Sequence, residues 1–170
     1  MKNQHFGILY FLLVIAQMII CNYFQFTPYV VISILPAMIL CMPLTVRTPL
    51  CMIIAFASGL AVDWLAEGLI GLNAASLVPV ALARKTIIRI FLGEDLIARN
   101  DSFTFKKNGI GKISIALITA LSVFFGLYVI LDSAGTQPTS FNLIRFAASV
   151  AASFVLSLIV TAVLTPDDRK

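Results

Sequence analysis

Nearly all the apolar sequence in this 170-residue chain lies in five or six long blocks separated by short polar gaps. That alternation constrains the fold more than any other feature. A block of roughly 20 apolar residues is what a helix needs to cross a bilayer, and only one gap, residues 93–112, is longer than about a dozen residues. With 60% hydrophobic residues, 12% charged and a mean hydropathy of +1.00, too little polar sequence is left to solvate a globule of this length. The pattern predicts an all-α polytopic membrane protein, a single integral membrane domain over 1–170. Its six predicted helices lie near 6–21, 29–43, 49–64, 71–92, 113–131 and 143–164. The second is short for a core about 30 Å thick, and Pro36 within it suggests a kink. Lys2 and the apolar run to Cys21 could imitate a signal peptide. No A-x-A site follows, and bulky Ile20 precedes Cys21, so the run reads as a membrane helix.

Basic residues set the expected orientation, because Lys and Arg stay on the cytoplasmic side. Six crossings collect Lys2, Arg47, Arg84, Lys85, Arg89, Arg99, Lys106, Lys107, Lys112, Arg169 and Lys170 on one side, eleven of the twelve, with both termini cytoplasmic. Only Arg145 falls outside, with Asp63, Glu67 and Asp132. Trp64, Tyr23 and Tyr29 fall at the same outer rim, as interfacial aromatics do. Arg84, Lys85, Arg89, Lys106 and Lys107 are candidates for contact with anionic lipid headgroups or a cytoplasmic partner, with Phe103 and Phe105 beside the last two.

Cofactor and reaction chemistry find little here. Cys21, Cys41 and Cys51 have no C-x-x-C spacing and the only histidine is His5, so neither a metal site nor a disulfide framework is expected. No nucleophile has a base in reach by spacing, no Walker loop is present, and the five acids away from the outer rim sit in the basic loop and the tail. No enzyme activity, cofactor or nucleic-acid binding is expected.

The most informative stretch is Ala55 to Ala74, A-F-A-S-G-L-A-V-D-W-L-A-E-G-L-I-G-L-N-A. Gly59 and Ala55 precede Asp63 by four and eight residues, so the carboxylate shares a helix face with a small-residue stripe of the kind that lets helices approach closely. Asp63 should face a neighbouring helix or the loop, as a buried polar anchor or a binding or relay group; a carboxylate ending a helix among headgroups is the plainer reading. The sixth predicted helix carries Arg145, then Ala148 and Ala152 beside Ser149, Ser153 and Ser157. An Asp63–Arg145 pair across helices three and six is one expectation, with Asp132 and Glu67 as rival partners and an Arg145 that simply snorkels to the interface as the plainer reading.

Gly59, Asp63, Gly68, Gly71 and Ala74 form G-x3-D-x4-G-x2-G-x2-A, which resembles the helix 3 to helix 4 junction of the bacterial rod-shape-determining membrane protein MreD family. Length, six spans and a basic connection after helix 4 are similar too. The resemblance implies a non-catalytic scaffold of the cell-elongation machinery in the bacterial cytoplasmic membrane. Its implied partners are an MreC-like single-span protein and, through it, MreB filaments and the peptidoglycan polymerase and transpeptidase. Helix 3 or helix 6 would offer the partner a face. The family's compact bundle is said to be similar to the substrate-binding components of energy-coupling-factor vitamin transporters. That gives an alternative: a small ligand held near the outer end by Asp63, Asn73 and Arg145.

Overall fold

The computed structural model describes residues 2–23, 29–67, 70–93, 109–133 and 137–164, with side chains from Phe6 onward and without those of residues 66 and 67. Among these residues the chain is helical, with no β-sheet. The elements are α1 (Lys2–Tyr23), α2 (Leu35–Leu40), α3 (Thr48–Val62), a π-helical turn (Asp63–Glu67), α4 (Leu72–Leu92), α5 (Ile110–Ser133) and α6 (Thr139–Leu164). Among the described residues, four stretches are long and apolar enough to cross a membrane: Phe6–Tyr23, Thr48–Leu65, Ile110–Ser133 and Thr139–Leu164.

α4 lies at the centre, packed chiefly on α3 and α5, with α6 against α5. Its buried residues Asn73, Leu77, Val80, Ala81, Arg84 and Ile88 recur every three or four positions, the period that places a stripe on one helical face. α5 answers with Ile113, Ala116, Leu117, Ala120, Leu121, Phe124 and Tyr128, all buried. Phe124 and Phe125 meet edge to face at 5.1 Å between ring centroids, and Tyr128 lies tilted against Phe124 at 5.9 Å and edge-on to Phe125 at 6.4 Å. Side chains of this size supply much of the core's dispersion energy.

The second predicted helix, 29–43, is corrected by the structure. Only Leu35–Leu40 is helical, and all six of its residues are buried. Residues 30–34 are not helical and form no strand ladder. Their backbone is served from two sides by side chains. On one side Val31 N–H donates to Ser149 Oγ (2.9 Å) and Ser33 N–H to Ser153 Oγ (3.0 Å). On the other, Gln17 Nε2 donates to Ile32 O (3.0 Å) and Gln17 Oε1 accepts from Ile34 N–H (2.8 Å). Alternate residues of an extended chain address opposite edges. Two strand residues advance roughly 6.6 Å and one helical turn of four residues roughly 6 Å, so positions 31 and 33 match Ser149 and Ser153.

This geometry also explains how so short a segment reaches. Tyr29 lies on Phe141 with ring centroids 5.0 Å apart, and Cys41 Sγ lies 3.5 Å from Thr161 Oγ1. Along α6 those contacts are 20 residues apart, roughly 30 Å. Twelve helical steps would cover only about 18 Å, whereas five extended steps and seven helical ones cover about 27 Å. Unwinding is what lets residues 29–41 run the length of α6.

Gln17 is buried in the apolar run Phe6–Cys21 of α1 and carries one edge of the unwound segment. Gln17→Leu leaves Ile32 O and Ile34 N–H without that partner, at about 1–3 kcal/mol for each buried group. The expected loss is about 2–5 kcal/mol in reversible unfolding from lipid or detergent, against under about 0.5 kcal/mol for Ile19→Leu on the exposed face of α1. Equal stability of the two variants would contradict the assignment.

Candidate functional site: the α3 to α4 junction

α3 ends where its geometry changes from α to π at Asp63. The wider turn leaves Trp64 and Leu65 exposed while Asp63 is fully buried. π-turns of this kind recur at functional positions. α4 starts at Leu72 with Gly71 as its N-cap, a residue with no side chain to satisfy the first-turn amides. Asp63 performs that task from the neighbouring helix. Its Oδ2 accepts from Gly71 N–H (3.0 Å) and Ala74 N–H (3.2 Å). Its Oδ1 accepts from the backbone N–H of Asn73 and from Asn73 Nδ2, both at 2.9 Å. All four acceptor positions of a carboxylate are thus filled, and the negative charge sits where the α4 dipole is positive.

One turn before Asp63, Gly59 makes this approach possible. A Cβ built on Gly59 would lie 2.6 Å from Ala74 Cα and 2.7 Å from Ala74 N, closer than any real side chain sits. The first turn of α4 therefore rests directly on the α3 backbone. Ala55 and Cys51 continue the same buried face at steps of four. Gly71 has φ +103°, a left-handed conformation that glycine adopts without strain. Four of the five motif glycines, alanine and aspartate (Gly59, Asp63, Gly71 and Ala74) meet in this one contact. Gly68 lies outside the described residues.

Other expected residues are placed differently. Arg145 does not meet Asp63; it ion-pairs with Asp132, one of its expected rivals, and its guanidinium carbon lies 5.9 Å from the Tyr128 ring centroid. The physical reason is that Asp63 is consumed by α4 amides and that α6 packs on α5, not on α3. The ligand set Asp63, Asn73 and Arg145 likewise does not form, since the first two bond to each other. Ala148 and Ala152 are partly exposed, and it is Ser149, Ser153, Ser157 and Thr161 that turn inward. The small-residue face of α3 is covered by α4 and so is not open to a partner.

Arg84 is corrected from a headgroup contact to an interior residue. It is 1% exposed, with Nε donating to Leu40 O (3.4 Å) and a terminal nitrogen donating to Met42 O. It thereby caps the carbonyl end of α2, where a cation also suits the helix dipole. Lys85 and Arg89 are exposed on α4, and Lys106 and Lys107 lie outside the described residues. Gln17 was not among the expected site residues. An amide within the apolar run Phe6–Cys21 was its available signal, because a buried polar group needs a partner. No metal-ligating cluster of His, Cys, Asp or Glu occurs among the described residues. No family model matches the chain, and no curated protein or solved structure matches it significantly.

Two outcomes are expected at the junction. Asp63→Ala strips three backbone amides and the Asn73 amide of their acceptor and should cost about 3–5 kcal/mol, with Asp63→Asn intermediate because one oxygen remains; unfolding in detergent measures both. Gly59→Val should destabilise by at least about 2 kcal/mol and separate α3 from α4, read by the distance between spin labels at exposed Ile53 and Leu82. An unchanged distance and stability would contradict the close approach. Between α5 and α6, a double-mutant cycle with Arg145→Gln and Asp132→Asn should give a coupling of about 0.5–2 kcal/mol, and the corresponding Arg145 and Asp63 cycle should give none.

Proposed function

We propose that this chain is a non-catalytic scaffold of the bacterial cell-elongation machinery, of the MreD kind, acting in the cytoplasmic membrane. The observation that carries the reading is the convergence of Gly59, Asp63, Gly71 and Ala74 at one helix–helix contact. A motif that encodes a rigid hairpin suits a protein whose task is to hold a shape for others. The polar groups at that junction are spent on backbone amides, which supports a packing role over a reaction centre.

In this reading the chain crosses the membrane six times, with residues 29–42 as the second crossing and α4 as the fourth. Both termini lie in the cytoplasm. The basic connection after α4, including Lys85, Arg89, Lys106 and Lys107, then contacts anionic lipid and cytoplasmic components. An MreC-like single-span protein is the direct partner, and through it MreB and the peptidoglycan synthases. Because α4 covers the α3 stripe, the partner face falls on outward surfaces such as the one carrying Ala148 and Ala152 on α6.

Depletion in a rod-shaped host should turn rods into spheres, and a cross-linker placed at Ala148 should capture the MreC-like protein. Rods that persist on depletion while uptake of a vitamin fails would replace the scaffold with the solute-binding alternative. Single cysteines at Lys2 and Lys170 should both label only from the cytoplasmic side.

A further inference from the structure

α1 is the least buried of the four candidate membrane spans, with 22% of its apolar window inside the protein. Near its N-terminal end it leaves a groove of about 210 Å³ against the start of α3, lined by Phe6, Gly7, Tyr10, Pro43, Val46 and Ile54. The one hydroxyl on this lining belongs to Tyr10, and it is engaged by Ser58 Oγ at 3.2 Å. The surface of the groove, to which Met42 also contributes, is therefore predominantly apolar. Gly7 widens it, since a Cβ there would meet nothing within 4 Å. A groove of this kind in a bilayer forfeits dispersion contacts unless something apolar fills it.

The charge beside the groove selects the filler. Arg47 follows Val46 directly, is exposed, and has no ion-paired or hydrogen-bonded side-chain partner among the described residues. It is the N-cap of α3, where the helix dipole also favours an anion. A guanidinium without a partner among the described residues, next to an open apolar groove, is complementary to a molecule with a phosphate at one end and a hydrocarbon chain at the other. We propose that the groove holds one acyl chain of an anionic phospholipid from the adjoining leaflet, with its phosphate on Arg47. This site is separate from the basic stretch after α4 and does not depend on the scaffold reading.

Native mass spectrometry of the full chain, titrated in detergent, tests the proposal with four probes. Phosphatidylglycerol should be retained as one tight adduct, phosphatidylcholine more weakly, and neither diacylglycerol, which lacks phosphate, nor glycerol phosphate, which lacks chains, should be retained. Gly7→Leu puts side-chain carbons into the groove; excluding two methylenes should weaken phosphatidylglycerol binding about tenfold. Gly111→Leu, the same change at an open glycine on α5, should leave it unchanged. Arg47→Gln should abolish the preference for phosphatidylglycerol over diacylglycerol. Ile54→Phe fills the groove from the opposite wall and decides the matter if Gly7→Leu fails to fold. Wild-type retention in the groove-filling variants would overturn the site. So would glycerol phosphate binding as tightly as the lipid, or a protein helix found cross-linked in the groove in its place.

Discussion

Backbone groups that lipid cannot hydrate must find partners inside the protein, and this constraint governs where the interior polar side chains of the chain are placed. Helices satisfy themselves except at their ends, so the demand concentrates at helix termini and at the unwound segment. Asp63 meets it for the first turn of α4, Arg84 for the last carbonyls of α2, and Gln17, Ser149 and Ser153 for residues 31–34. Each is a residue type that would be costly in an apolar interior without such a role. Together they are five of the twelve polar or charged residues buried in the described structure, and they include both buried charged side chains, Asp63 and Arg84.

These contacts also order the packing. The Asp63 cap and the Gly59 contact act on the same turn of α4, one by attraction and the other by removing the obstacle to approach. Arg84, three turns further along α4, ties that helix to α2, and α2 continues into the unwound segment held by α1 and α6. A chain of backbone-directed bonds thus links α3, α4, α2, α1 and α6, while α5 is held mainly by aromatic and aliphatic packing and by the Asp132–Arg145 pair. Rigidity of this sort suits a surface presented to other helices.

Much of the helical layout is legible in the residues because long apolar blocks and short polar gaps leave few alternatives. The inward face of Asp63 follows from Gly59 and Ala55 at four-residue steps, whereas its complete burial does not, because a carboxylate that ends an apolar run reads more plainly as one among headgroups. What the carboxylate binds is less legible, since a cap supplied from another helix depends on how closely two backbones approach. The unwound segment shows why periodicity fails: Val30, Val31, Ile32 and Ile34 are as apolar in an unwound segment as in a helix. The β-branched residues of Tyr29-Val-Val-Ile-Ser-Ile34 were the signal for extension. Arg84 looks like the start of a basic surface because Lys85 and Arg89 follow it, yet its position in the α4 stripe with Leu77, Val80 and Ile88 turns it inward.

Amide hydrogen exchange in lipid nanodiscs tests the central claim most directly, because it reads the individual backbone groups. Val31, Ser33, Ile34, Gly71, Asn73 and Ala74 all donate to side chains. The account predicts that these six amides exchange as slowly as those of Ala120 and Leu121 in the middle of α5. Fast exchange of the six alongside a protected α5 would mean that their side-chain partners do not hold the backbone, and the account would fail.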